Sequence, residues 1–356
     1  MTPIVNLHIL ARRFTQLSKS SFFDPAFTEF AKRTCDATFH VIDNVDKYPE
    51  ELVRKYQENL WHVLQFVNGS RSNDAPHETQ YVLRKALKDW ISDDVLISSA
   101  SLSTFSFSIQ LADLWDFIGN SLNLYNTEGY KPLVARISSP EAYKNRPIFC
   151  VPLFHELGHF VDHYYQISQY SLLITPPPPA PKGAHPIAWT NAHTDHRMEY
   201  FADLFASCYC GTITNKSLMA IAPNNLDSAT HPATARRTSV VDDFLASRKN
   251  DMVTTLQSAL SGLKLPALAT RFSIPDVSTP FNDVLTCRIT KDDQLFGIYN
   301  ASWDYLEENL LNRTAPWISK DATEFTIEKT VNDLTEKSIR NYEIVERWKN
   351  GIADRN

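Results

Sequence analysis

Residues 148–166 read IFCVPLFHELGHFVDHYYQ, from Ile148 to Gln166. Leu153, Leu157, Phe160, Val161 and Tyr164 recur at the spacing of one helical face, so the segment predicts an amphipathic helix turned toward a core. The same helix carries His155-Glu156-Leu157-Gly158-His159, an HExxH pattern. Residues at i and i+4 lie on one side of a helix about 6 Å apart, so two imidazoles can converge on one ion with bonds of roughly 2.0 Å. Glu156 faces the adjacent strip. From there it can reach a water at the ion without ligating the metal, as a general base must. A shuffled chain with this His and Glu content would contain HExxH in roughly 1–2% of cases. Two imidazoles and a carboxylate left without partners in an apolar helix would cost several kcal/mol, which favours a functional reading.

Catalytic zinc takes three protein ligands and keeps one open position, so a third ligand is required. A third His six residues after the second would make a metzincin, but Tyr165 stands there and no glycine precedes it, so that arrangement is excluded. Forty residues past His159, Glu199-Tyr200-Phe201-Ala202-Asp203 falls in another predicted helix, from about His196 to Cys210. Its two carboxylates share a face. Glu199 is the expected third ligand, and Asp203 is placed to accept the second-nitrogen proton of a ligand imidazole and so orient it. His163, His193, Asp195 and His196 are rival ligands; His163 reads better as a surface or packing residue. His196, three residues before Glu199, is the strongest rival. Cys208 and Cys210 read as small buried apolar residues, and Tyr164, Tyr165, Tyr200 and Tyr209 as packing.

With these motifs in order, the chain resembles the gluzincin metallopeptidases, particularly the family of the CAAX prenyl protease and the HtpX heat-shock protease. That family carries HExxH, then Glu-x-x-Ala-Asp, then His-Pro with an Arg six residues after the His. Here the last element is His231-Pro232 with Arg237 at that spacing. The resemblance implies a zincin-like core, zinc as cofactor, His231 as a donor to the oxyanion and Arg237 as a support of the site, with neighbouring Arg236 as the alternative should the helix phase differ. It spans residues 155–237. Members of that family typically carry transmembrane helices, which the chain is not expected to have, so membrane insertion and prenylated substrates are not carried over.

The rest of the chain predicts a mainly α fold with a small β-sheet. Helices are expected at about 25–45, 49–67, 78–91, 232–260, 294–311 and 323–348, and β-prone runs at 95–109 and 133–137. Thr175–Pro186, TPPPPAPKGAHP, cannot continue a helix, because proline lacks the donor and clashes with the preceding turn. It reads as a surface connector. The organisation expected is an N-terminal helical region at 1–125, the catalytic core at 126–265 and a C-terminal helical region at 266–356.

Composition narrows the partners. A net charge of −6 with no dense basic tract gives no footprint for nucleic acid. Arg12 and Arg13 follow the first apolar stretch, the reverse of a secretory signal, and Ser98–Gly119 is interrupted by Gln110, Asp113 and Asp116, too polar for a membrane span. Five scattered cysteines without a Cys-x-x-Cys pair fit a reducing cytoplasm. The expectation is a cytoplasmic zinc peptidase, an endopeptidase acting on protein or peptide. An aminopeptidase of the same zinc class, and a non-proteolytic zinc-bearing interaction protein, are the other readings. An uncoordinated Glu156 has no use in the latter.

Overall fold

The computed structural model describes residues 3–22, 24–71, 77–102, 108–110, 130, 132–183 and 185–353. Helix dominates, with one small sheet. No helix among the described residues is long and apolar enough to cross a membrane. Residues 103–107 and 111–119 of the Ser98–Gly119 stretch lie outside the described residues.

Two compact units are formed, one from residues 1–80 and 92–144, the other from residues 81–91 and 145–356. The first contains α1 (Pro3–Leu17), α2 (Ala26–Asp43), α3 (Glu50–Gly69) and the opening of α4 (His77–Lys88), with strands β1 (Val95–Leu102), β2 (Ser108–Gln110) and β3 (Leu133–Pro140). Helix α1 starts well before the first expected helix. Its Leu7, Leu10, Ala11, Phe14 and Leu17 follow the three–four spacing of one face and are buried among Phe27, Phe30, Ala31, Tyr56 and Leu60. The sheet runs β1-β3-β2: β1 pairs parallel with β3 from Val95↔Leu133 to Leu102↔Pro140, and β2 pairs antiparallel with it. The β-prone run 95–109 therefore makes two strands instead of one.

The second unit holds α5 (Pro152–Tyr165), α6 (Ile167–Ile174), α7 (Pro186–Cys210), α8 (Ile213–Ile221), α9 (Thr234–Leu245), α10 (Asp251–Gly262), the short α11 (Ser278–Asn282), α12 (Asp292–Asn312) and α13 (Glu324–Ala353). Proline opens both α5 and α7, where a missing N–H costs nothing and a fixed φ favours the first turn. Helix α7 thus begins about ten residues before the expected start. Its last eleven residues, from Tyr200 to Cys210, are all buried, so it is the central rod of the unit. At its foot Tyr209 accepts from Trp90 Nε1 and lies 2.9 Å from both the Ala86 carbonyl and Asp89.

The expected helix 232–260 is two. Ser247 takes φ of 55° after α9, and the Asn250 side chain accepts from the Met252 and Val253 amides to cap α10. Helix α5 ends at Gln166, which adopts the left-handed conformation at φ 56°. Asp162 then accepts the Ser168 amide at 2.7 Å and holds the start of α6.

Candidate metal centre

The site grows out of one helix crossing. Gly158, inside HExxH, lies against Ala202: a Cβ on Gly158 would stand 2.8 Å from the Ala202 Cα and 3.1 Å from the Phe205 Cβ. Two small residues therefore let the backbones of α5 and α7 approach closely, and each lies in the sequence between two candidate residues, Gly158 between His155 and His159 and Ala202 between Glu199 and Asp203.

At this crossing His155 Nε2 and His159 Nε2 are 3.0 Å apart. Glu199 Oε2 is 3.5 Å from His155 Nε2, and its Oε1 is 3.4 Å from His159 Nε2. Zinc with bonds near 2.05 Å and tetrahedral angles separates its ligand atoms by about 3.3 Å. The two imidazole nitrogens, and the carboxylate with one oxygen toward each ring, lie at separations close to that value. Among the described residues they are the one set of three such side chains whose ligand atoms all lie within 4.8 Å of one another. His159 Nδ1 is buried and has no hydrogen-bond partner.

Behind the donors lies a second layer of charge. Asp203 Oδ1 is 2.9 Å from His155 Nδ1, on the side of the ring opposite the Nε2 that faces Glu199 and His159. Arg237, on α9, grips Asp203 with a two-point fork, Nε to Oδ2 and Nη2 to Oδ1, each at 2.7 Å. Its remaining nitrogen, Nη1, reaches Glu199 Oε2 at 2.9 Å. One guanidinium thus holds both Glu199 and Asp203. Arg236 pairs instead with Asp227, so of the two arginines it is Arg237 that contacts Glu199 and Asp203.

The electrostatics follow from this layout. Burial opposes a charge on His155, but the Asp203 and Glu199 carboxylates outweigh it and raise its pKa from an ordinary 6.5 to about 10. Burial would raise Glu199, yet the two imidazoles hold it far below the usual carboxylate range. Asp203 is likewise held low, with the Arg237 guanidinium overcoming its burial.

His231 comes from the loop between α8 and α9. Ser228 Oγ accepts both the Thr230 and His231 amides, and the Ser228 amide donates to the His231 carbonyl. Thr230 Oγ1 lies 2.8 Å from His231 Nδ1, leaving Nε2 directed inward, 3.4 Å from Glu199 Oε1. The ring is more than half exposed, so it faces the solvent side of the donors. Glu156 is half-buried beside His155 and makes no ion pair or hydrogen bond through its carboxylate with any described residue.

The rival ligands go elsewhere. His196 Nε2 lies 2.7 Å from the Ser228 carbonyl, His193 stacks edge-on against Trp189, and His163 is exposed. Asp195 is half-buried and outside the donor cluster. Tyr165 donates to the Trp90 carbonyl; Tyr164 is partly exposed, Tyr200 is buried, and Cys208 and Cys210 are fully buried. Sequence reasoning missed two structural roles. The i, i+6 relation of Asp162 to Ser168 marks a helix junction, and the His196–Ser228 contact ties the His231 loop to α7, for which no local signal exists.

In comparisons with models of known families, with curated proteins and with solved structures, nothing matches this chain.

Proposed function

We propose that this chain is a zinc-dependent peptidase with a zincin-like core, in which His155, His159 and Glu199 hold the metal and Glu156 is the general base. The observation that carries the reading is the convergence of two imidazoles and a carboxylate from two separate motifs, with ligand atoms within 4.8 Å of one another, on helices whose crossing requires the small residues within those motifs. A two-imidazole, one-carboxylate set suits zinc and leaves a coordination position for chemistry. The order of HExxH, ExxAD and His-Pro with Arg237 supports the gluzincin resemblance.

When bound, zinc supplies Lewis-acid polarisation of a carbonyl and makes a water easier to deprotonate. The protein supplies the rest. Glu156 takes the proton from the attacking water and returns it to the leaving amine. His231 Nε2, on the solvent side of Glu199, donates toward the oxygen that gains charge. Asp203 keeps His155 in the tautomer that presents Nε2, while Arg237 holds Glu199 and Asp203 against their mutual repulsion. The substrate is a peptide bond of a protein or peptide, and the reaction is endoproteolytic hydrolysis.

Metal analysis of the purified chain tests the reading: about one zinc per chain is expected, lost in His159→Ala with helical content retained. Equal zinc content in the two proteins would remove the basis of the ligand assignment.

A further inference from the structure

Between α6 and α7 the chain runs Thr175-Pro-Pro-Pro-Pro-Ala-Pro181, and nothing in the metal site uses it. Proline fixes φ near −65°, and any residue before a proline is driven to extended ψ. Pro176, Pro177 and Pro178 obey both constraints, and Ala180 precedes Pro181. Those constraints select polyproline II backbone for this segment, with three residues per turn and about 15–16 Å from Pro176 to Pro181.

Its burial has the same period. Pro177 and Ala180, three apart, are half-buried, whereas Pro176, Pro178, Pro179 and Pro181 are exposed. One ridge lies on the body of the unit and two face outward, each with prolines three apart: Pro176 with Pro179, and Pro178 with Pro181. The segment is also tied down. Buried Arg197 donates to the Thr175 carbonyl at 2.5 Å and to Ser171 Oγ at 2.8 Å, and Trp189 Nε1 donates to the Pro178 carbonyl at 2.9 Å. Large apolar side chains stand exposed on both flanks, Leu173 at 78% and Ile187 at 66%. Lys182, exposed directly after Pro181, adds a positive charge at one end.

We propose that residues 176–181 are a docking epitope for a partner domain that reads polyproline II helices through an aromatic-lined groove with an acidic rim. Such grooves accept paired proline ridges three residues apart, and a ligand already held in this conformation loses little entropy on binding. A simple connector needs neither six residues of restricted backbone nor buried-arginine and tryptophan anchors on two of its carbonyls, those of Thr175 and Pro178. Leu173 and Ile187 extend the contact beyond the prolines. The inference does not rest on the metal site and goes beyond hydrolysis.

The test titrates the purified chain against a panel of isolated SH3, WW and EVH1 domains, by calorimetry, beside a variant with Pro176→Ala, Pro178→Ala, Pro179→Ala and Pro181→Ala. Saturable one-to-one binding by at least one domain, weakened at least tenfold in the variant, is the expected result. Circular dichroism and zinc content should be the same for both proteins, since the substituted residues are exposed. A second variant, Trp189→Phe, should weaken binding severalfold by freeing the Pro178 carbonyl. No binding by any domain of the panel, or binding equal in the proline variant, would overturn the proposal. Co-sedimentation of the wild type with phosphatidylserine vesicles, abolished by Leu173→Ser with Ile187→Ser but unaffected by the proline substitutions, would overturn it too and assign the patch to lipid.

Discussion

Replacing Gly158 by alanine sets two effects of opposite sign against each other. In an exposed helix Gly→Ala stabilises by about 0.5–1 kcal/mol, because the unfolded chain loses freedom. Here the new Cβ would stand 2.8 Å from the Ala202 Cα, 3.1 Å from the Phe205 Cβ and 3.2 Å from the Ala202 carbonyl oxygen. Two of these neighbours are backbone atoms of a buried helix and cannot swing aside. Restoring ordinary contact at 3.4 Å needs about 0.6 Å of separation between α5 and α7, and overpacking of this kind costs about 1–3 kcal/mol. The clash exceeds the entropic gain, giving a net loss of about 1–2 kcal/mol. The metal site should suffer more than the fold, because ligand distances tolerate only about 0.2 Å and both imidazoles ride on the displaced helix. Urea unfolding and zinc competition with a chromogenic chelator, run on wild type and Gly158→Ala, measure the two effects. Expected are a lower unfolding midpoint and a zinc affinity reduced at least tenfold. A variant as stable as wild type with unchanged zinc affinity would show that the close crossing does not set the site's geometry.

Other perturbations separate the layers of the site. Asp203→Asn should weaken zinc binding by about 10- to 100-fold while leaving the ligands in place, since it loses the carboxylate that orients His155; zinc affinity by competition measures this. Arg237→Met should be harsher for the fold, destabilising by about 3–5 kcal/mol because Glu199 and Asp203 are left buried without their cation, and Arg237→Lys should recover only part, since one ammonium cannot span both carboxylates; chemical denaturation gives the comparison. After zinc is stripped by chelation, the raised pKa of His155 makes stability depend on pH. Its contribution is fully present below the unfolded value near 6.5 and is lost as pH rises through about 10, so the chelated chain should weaken over that window more steeply than His155→Gln. Zinc uptake near neutral pH should accordingly release a proton from His155, readable by calorimetry in buffers of different ionisation enthalpy.

Much of the site was legible because its geometry is local. His155 and His159 share a face by helical period alone, and the carboxylates at 199 and 203 do the same. The partnership between those faces was inferred from motif order, and the atoms that make it possible, Gly158 and Ala202, lie inside the same motifs. Arg237 was expected as a supporting residue only through the resemblance to the gluzincin motif order, which named none of its partners. Arg237 fastens the two carboxylates, a tertiary relation between α7 and α9 that no spacing encodes. Boundaries failed where a capping residue competes with periodicity: Pro186 starts α7 early, and Asn250 divides α9 from α10 within a stretch whose apolar pattern continues across the break. Helix α1 shows the converse. Its three–four spacing of Leu7, Leu10, Ala11, Phe14 and Leu17 is present in the sequence, in a segment whose charge order answers only a question about targeting.

Hydrolysis itself is the most direct test of the central claim. The purified, zinc-loaded chain is incubated with a diverse peptide library, and new termini are counted by mass spectrometry beside Glu156→Gln, which keeps the side chain's shape but cannot take a proton from water. Internal cleavage by the wild type is expected, with a rate at least about 10²-fold lower in Glu156→Gln at equal zinc content. Cleavage at the same rate by both proteins, or none by the zinc-loaded wild type, would contradict the account.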